Sequence, residues 1–281
     1  MEYFDDIDLL LRNNMPVENF LGLTPTEVHY LLYDTFGEKS PLQFHNDLDD
    51  VTLDQIPLFR IAEEYLKIIQ RDKQIKLTSL GALPKKVMVE LYDKRILLDE
   101  HIESGLIKLW REQDCISIRS ARMTAELAGF VRKVNGKIVL TKKGEKLLQP
   151  ENRINLFKQF FQVFTGKLNW GFNDLYPSEP IGQLGWAFSV HMLYKFGYQT
   201  YMSDYYANMY LKAFPKYISF FEHTYSTPER QFNSCYRTRT FDRFLLWFGF
   251  VTVERQKHYL GEEPDKFTGT DLVKKVFRFD E

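Results

Sequence analysis

Apolar residues recur at helical spacing in two stretches near the start of the chain. The run Thr24-Pro25-Thr26-Glu27 has the residues of a capping box, with proline at the first helical position. It predicts a helix that begins there and ends before Gly37. The stretch 57–71 predicts a second, amphipathic helix, and the acidic segment between the two helices predicts an irregular connection. The apolar face of the second helix consists of Phe59, Ile61, Leu66, Ile68 and Ile69.

Shorter helices and strands are indicated after residue 73. The pattern predicts a strand at 74–78 and helices at 84–92, 106–111 and 118–128. Gly129 is placed to end the last of these helices in a left-handed cap. Two strand-like runs then flank Asn135-Gly136, which is the strongest short signal for a β-hairpin, because a type I′ turn needs positive φ at both central residues. A short helix is predicted at 141–148.

The segment 154–250 is rich in aromatic residues, with 28 of the 44 in the chain. Helical spacing of these rings is visible at 156–164, 186–196 and 201–214. Aromatic side chains bury large areas, so the segment most simply predicts a helical core. A base-stacking platform or a ligand pocket remains an alternative. His191 lies within this segment and is expected to be a core or interface histidine with its hydrogen bonds satisfied, rather than a ligand.

The length and composition of the chain indicate which class of protein it belongs to. A chain of 281 residues with a formal net charge of −1 suggests about two domains, or three small ones. The first residues carry three aspartates where a signal peptide needs positive charge, and no run of residues is long and apolar enough to span a bilayer. The two cysteines, Cys115 and Cys235, have no metal-ligand spacing and suggest free thiols. We expect a cytoplasmic protein without membrane association.

The charge is unevenly distributed. Residues 1–56 hold 12 acidic side chains and two cations, whereas the segment 119–148 holds eight cations and two glutamates. An acidic arm ahead of a basic body is compatible with a polyanion site that the arm can shield. An ordinary solvated surface with local charge fluctuation is an equally good explanation.

One sequence pattern occurs twice. Ala128-Gly129-Phe130-Val131 is followed by the hairpin, by Leu140-Thr141 and by Gly144; Phe248-Gly249-Phe250-Val251 is followed by a longer hairpin tip, Phe267-Thr268 and Gly269. The run from Glu126 to Leu148 resembles the end of a winged-helix domain, with recognition helix, strand, wing, strand and closing helix. The run from Ile75 to Tyr92 is similar to segments of bacterial winged-helix proteins, including relatives of the plasmid open-reading-frame-three-like family.

The resemblance implies a set of DNA-contacting cations, since the recognition helix of such domains enters the major groove and the wing reaches the backbone or the minor groove. Arginine suits guanine edges, and lysine on a wing mostly contacts phosphate. The cations implied on the first recognition helix and wing are Arg119, Arg122, Arg132, Lys133 and Lys137. Those implied on the helix of the last unit are Arg237, Arg239 and Arg243. As alternatives, Arg122 and Glu126 are spaced to pair along a helix, and Arg237 and Arg239 could pair with the acidic arm.

Catalytic signatures are missing from the sequence. The six histidines are scattered without metal-ligand spacing, and no nucleotide-binding glycine loop or nucleophile elbow occurs. Cys235 is near Arg230, Arg237 and Arg239 in sequence, which could lower its pKa, but no base can be assigned to it. We therefore expect no enzyme, no metal and no cofactor.

These observations predict a mostly α protein with small β-hairpins, an α+β fold in which tandem winged-helix-like units are joined by an aromatic-rich helical region. The function expected is a DNA-binding regulatory or architectural protein. The alternative is a protein-interaction scaffold that forms a homodimer or binds a partner. The expected segments are an acidic arm at 1–23, winged-helix-like units at 24–95 and 96–150, an aromatic middle at 151–228 and a last winged-helix-like unit at 229–281.

Overall fold

The hairpin predicted around Asn135-Gly136 is confirmed in the computed structural model of this protein, and both turn residues have positive φ. The structure describes residues 11–222, 226–255 and 265–279. Most of these residues are helical and the strands form small antiparallel sheets, so the mostly α, α+β fold is confirmed. The acidic arm at 1–23 lies partly outside the described residues, as does the tip of the last predicted hairpin.

The helices begin with α1, whose predicted capping box between Thr24 and Glu27 is confirmed. In chain order they are α1 (Pro25–Tyr33), α2 (Asp50–Leu53), α3 (Pro57–Asp72), α4 (Lys85–Tyr92), α5 (Glu100–Glu103), α6 (Ile116–Leu127), α7 (Lys142–Leu147), α8 (Arg153–Gly166), α9 (Trp186–Phe196), α10 (Ser203–Ala213), α11 (Pro228–Tyr236) and α12 (Leu272–Val276). A π-helix, Arg237–Leu245, continues α11. Short 3-10 segments lie at Glu18–Phe20, Glu112–Asp114, Pro150–Asn152, Trp170–Asn173 and Pro215–Phe220.

The strands are short and form three antiparallel sheets. They are β1 (Leu42–Phe44), β2 (Ile75–Lys76), β3 (Val131–Val134), β4 (Lys137–Leu140), β5 (Thr200–Met202), β6 (Val251–Glu254), β7 (Lys266–Gly269) and β8 (Phe277–Phe279). The sheet orders are β2–β4–β3, β5–β7–β6 and the pair β1–β8.

The chain divides into two units. The nested unit comprises residues 48–169 with 247–249, and the flanking unit comprises 1–47, 170–246 and 250–281. These boundaries differ from the predicted segments because strand pairing joins what the prediction separated. Ile75, in the first predicted unit, lies opposite Ile138, in the second. Likewise β5, in the predicted aromatic middle, pairs with β7 of the last predicted unit.

Apart from the four-residue helix α5, which lies between α4 and α6 in the nested unit, both units contain the same order of elements: helix, strand, helix, helix, strand, strand. In the nested unit these are α3, β2, α4, α6, β3 and β4; in the flanking unit they are α9, β5, α10, α11 with its π-helical continuation, β6 and β7. In each sheet the last strand lies between the other two. The recurrence noticed in the sequence therefore corresponds to a repeated topology.

Buried aromatic rings fill the core of each unit, as predicted for the aromatic segment. In the nested unit, Phe248 packs against Phe161 and Phe164, with ring centroids 5.0 and 4.9 Å apart. In the flanking unit, Trp186 contacts Phe244 and Phe277 at 5.9 and 6.1 Å.

Two local predictions have opposite outcomes. Gly129 adopts a positive φ of 72° directly after α6, so the predicted left-handed cap is confirmed. The helix predicted at 106–111 is wrong, because this segment is an irregular connection between α5 and the 3-10 turn Glu112–Asp114. Leu106 and Trp110 are exposed there, so the stretch has no buried face against which a helix could pack.

Candidate nucleic-acid interface

The solvent-facing side of the nested sheet combines cations from all three of its strands. Residues directly opposite each other in an antiparallel pair share a face, and faces alternate along each strand. Ile75 pairs with Ile138, and both are buried, so this pair marks the core face. The next pair, Lys76 with Lys137, therefore lies on the outer face. Arg132 of β3 joins them, because it pairs with Val139 on that same outer face.

These three cations have no carboxylate partner within the ranges that the structure describes. Lys76 and Arg132 are exposed and Lys137 is half-buried at the hairpin. Lys133 differs, since it points to the other face and its Nζ lies 3.4 Å from Glu126 of α6. The outer face, defined as Lys76, Arg132 and Lys137, is thus a compact positive surface without internal neutralisation.

The flanking sheet has an outer face of different chemistry. There Thr268 of the central strand β7 lies between Thr200 of β5 and Thr252 of β6. The hydroxyl oxygens of Thr200 and Thr268 are 2.7 Å apart. The next row places Lys266 opposite Glu254. The two sheets share a topology, but in the described residues only the nested one has an outer face with several cations and no carboxylate.

The predicted recognition-helix cations of α6 are not equivalent. Arg119 is half-buried, whereas Arg122 is buried and donates to both Glu112 and Glu126. Burial acts to lower the pKa of Arg122, but the hydrogen bond and the charge of Glu112 outweigh it, so the pKa lies above its ordinary value. The second oxygen of Glu112 accepts the Leu83 N–H at 2.9 Å. Arg122 therefore links α6, through Glu112, to the loop before α4. Its pair with Glu126 is the alternative that the spacing of these two residues predicted.

The cations predicted in the last unit also have partners within the flanking unit. Arg239, 1% exposed, donates to Asp174 at 2.8 and 3.0 Å and to the carbonyls of Pro177 and Glu179, both at 2.7 Å. Arg237 donates to Asp265. Arg243 is half-buried, with its Nη1 4.0 Å from Asp174. These arginines hold the 174–179 segment and the base of the last hairpin in place. Asp174, Pro177, Glu179 and Asp265, the partners described, all lie outside the acidic arm.

Sequence reasoning missed Lys76 as a member of the outer face. The signal was available in part, because the strand predicted at 74–78 alternates Ile75 and Leu77 inward with Lys76 outward. The missing step was the pairing of that strand with Lys137, which lies 61 positions later in the chain. The partners Glu112 and Asp174 left no recognisable signal, since each reaches its arginine through tertiary packing.

A second feature of the nested unit is an apolar connection between α5 and α6. Leu106 and Trp110 are 75% and 60% exposed, and Ile107 between them is also exposed. Apolar side chains clustered on a surface connection are typical of a protein-interaction site.

Both cysteines considered for chemistry are buried. Cys115 and Cys235 are buried free thiols. Burial raises the pKa of Cys235 to about 12 even though Arg239 acts to lower it, so the expected net lowering of this pKa is wrong. In the described ranges, no three His, Cys, Asp or Glu side chains converge as a metal site. None of the helices in those ranges has both the length and the apolar character that a bilayer-spanning segment requires.

Comparison with known proteins gives one partial match. Residues 54–153 match the family described as the Y4jL N-terminal domain. This range covers about a third of the chain and runs from the residues before α3 to the first residue of α8, so it coincides with most of the nested unit. No curated protein and no solved structure matches the chain. The chain is thus similar to the Y4jL N-terminal domain over the unit that contains the positive outer face.

Proposed function

We propose that the nested unit is a winged-helix-like domain that binds double-stranded DNA in a regulatory or architectural role. Two features support this proposal. The first is the order helix, strand, helix, helix, strand, strand, to which the nested unit adds only the short helix α5, and which agrees with the winged-helix resemblance of the sequence. The second, which carries the proposal, is the outer face of Lys76, Arg132 and Lys137, since three cations without carboxylate partners in the described ranges suit a phosphate backbone.

The proposed contact is mainly with phosphates. Arg122 is held in a buried ion-pair network, so it is not offered to base edges. The other arginine expected on α6, Arg119, is half-buried. Phosphate contacts position a protein on DNA but carry no sequence information directly. We therefore expect binding with weak sequence preference and strong salt dependence.

The test is fluorescence anisotropy with a mixed-sequence duplex, titrated at several salt concentrations. The triple variant Lys76→Gln, Arg132→Gln, Lys137→Gln should weaken binding and flatten the salt dependence. Each phosphate contact contributes about 0.9 to the slope of log affinity against log salt, so loss of three contacts should reduce that slope by roughly 2 to 3.

A charge-matched control separates a local effect from a change in net charge. Lys212, Lys216 and Arg230 are exposed cations of the flanking unit. The triple variant with glutamine at these positions removes the same number of charges and should leave the slope within about 0.5 of wild type. Equal losses in both triple variants, or no binding by wild type at low salt, would overturn the proposal.

A second candidate function is supported by the exposed connection between α5 and α6. In that case the chain is a scaffold that self-associates through Leu106 and Trp110. The double variant Leu106→Ser, Trp110→Ser should then convert a dimer to a monomer in sedimentation equilibrium and leave duplex affinity per protomer unchanged. A wild-type chain that remains monomeric at high concentration would exclude this candidate.

A further inference from the structure

A pocket of about 350 Å³ lies within the flanking unit, whereas the residues of the DNA proposal belong to the nested unit. It is formed where the segment before α1 meets the C-terminal half of α9 and the last strand. Its volume is at the lower end of the range for small-molecule sites, which is about 300–1,000 Å³. Its wall includes the side chains of Leu23, Glu27, His191, Tyr194, Lys195 and Phe279.

His191 forms part of the pocket wall and is the most unusual group in it. Its side chain is only 5% exposed, and neither ring nitrogen has a hydrogen-bond partner. The expectation that this histidine is a satisfied core residue is therefore wrong. A buried polar group without a partner destabilises the fold, so such groups are rare unless something else satisfies them.

The surroundings of His191 keep the imidazole neutral. Burial is the main reason that its pKa is lowered to about 4, and the charge of Lys195 adds to this. The Leu21 carbonyl opposes the shift, but it does not complete a hydrogen bond with either ring nitrogen. A neutral imidazole has one N–H donor and one acceptor nitrogen. The ring of Phe279 lies 4.9 Å from it, centroid to centroid, and provides an apolar wall. The pocket thus offers an unused donor beside an aromatic surface.

Lys195 supplies a positive charge at the solvent side of the pocket. It is exposed, and its Nζ donates to the Leu21 carbonyl at 2.7 Å. An ammonium has three donors, so this bond leaves two for a ligand. The one carboxylate in the wall, that of Glu27, accepts the Thr24 N–H at 2.7 Å as part of the capping box.

We propose that this pocket binds a small organic carboxylate with an apolar body. The apolar body lies against Leu23, Tyr194 and Phe279, and the carboxylate accepts from Lys195 Nζ and from the N–H of His191. This arrangement satisfies the orphan histidine and leaves the charge of the ligand at the solvent side. The site is independent of the DNA proposal, because every residue in it belongs to the flanking unit.

The experiment uses three probes of one shape: benzoate, benzamide and benzylamine. Each is titrated into the full chain and followed by ligand-detected NMR. Benzoate should bind with a Kd in the millimolar range, as befits so small a ligand, and about tenfold more tightly than benzamide. Benzylamine should not bind. A preference for benzylamine, or no binding of any probe, would overturn the proposal.

Variants assign the contacts. His191→Phe keeps a ring in an aromatic wall and should weaken benzoate about fivefold, and Lys195→Met about tenfold, whereas Lys195→Arg should restore binding to within about twofold. His191→Leu serves the same purpose if the phenylalanine variant does not fold. Lys212→Met, at an exposed lysine of α10, is the control and should bind benzoate like wild type. Unchanged affinity in the His191 and Lys195 variants would overturn the assignment of the site.

Discussion

Lys76 of β2 lies directly opposite Lys137 of β4, so two ammonium groups share adjacent positions on the outer face of the nested sheet. Like charges at directly paired positions destabilise a sheet. No carboxylate in the described ranges offsets this pair. The fold therefore tolerates a local repulsion that a polyanion would relieve.

This relationship predicts opposite effects of one substitution on stability and binding. Lys76→Thr should raise the free energy of unfolding by about 0.2–1 kcal/mol, because it removes the repulsion and introduces a residue that favours strands. The same variant should bind the duplex more weakly. Urea unfolding and anisotropy at low salt measure the two quantities. A variant that is both less stable and equally tight on DNA would contradict the prediction.

The network around Arg122 predicts a structural rather than a binding defect. Arg122→Ala leaves Glu112 buried without its cation, which typically costs about 3–5 kcal/mol. Arg132→Ala, at an exposed position of the outer face, should change stability by less than about 0.5 kcal/mol and weaken DNA binding. If Arg122→Ala unfolds like wild type and instead relaxes the base preference at one position, α6 reads bases as the winged-helix resemblance implies.

Arg239 predicts a comparable dependence in the flanking unit. Its guanidinium satisfies Asp174 and two backbone carbonyls at once, a geometry that a lysine ammonium does not reproduce. Arg239→Lys should therefore lower the free energy of unfolding by about 1–3 kcal/mol. Arg230→Lys, at an exposed position, is the matched control and should be neutral. Equal denaturation midpoints for the two variants would contradict the role assigned to Arg239.

Local structure could be predicted from the sequence, whereas the long-range partners of strands and charged side chains could not. The capping box at Thr24 and the turn at Asn135-Gly136 are set by residues within a few positions, and both form as predicted. The pairing of Ile75 with Ile138 depends on two short strands 63 positions apart, which local pattern does not specify. For the same reason the resemblance implies Arg122 as a DNA-contacting residue of the recognition helix, whereas its burial depends on Glu112 and on the packing of α3 against α6.

His191 predicts a pH dependence of stability. Its pKa is lowered from 6.5 to about 4 in the folded protein, so between these values the unfolded chain binds a proton that the folded chain does not. Stability contributed by the neutral ring is complete above pH 6.5 and is lost as the pH falls toward 4. As the pH falls from 6.5 to 4, the unfolding free energy of the wild type should therefore drop by roughly 3 kcal/mol relative to that of His191→Phe. If the difference in unfolding free energy between the two proteins does not change with pH, the prediction is wrong.

Gly144 predicts a steric requirement in the closing helix of the nested unit. A Cβ at this position would lie 2.1 Å from the carbonyl oxygen of Phe130. Gly144→Ala should therefore destabilise the protein by about 1–3 kcal/mol, as overpacking usually does. Gly166, at the end of α8, has nothing within 4 Å of its Cβ position, so Gly166→Ala should be neutral or stabilising. Thermal unfolding of both variants tests the pair, and equal melting temperatures would contradict the prediction.

Phe248 packs among the phenylalanines of α8, yet it follows residue 169 by 79 positions in the chain. During synthesis the nested unit therefore emerges with part of its core unfilled, and it is completed only after most of the flanking unit has been made. At about 5–20 residues per second, the ring arrives some 4–16 s later. Because of this order of synthesis, the core of the nested unit can be completed only after residues 170–246 of the flanking unit have been made. A chain released before residue 248 leaves α8 with an exposed apolar surface, and such a surface favours aggregation.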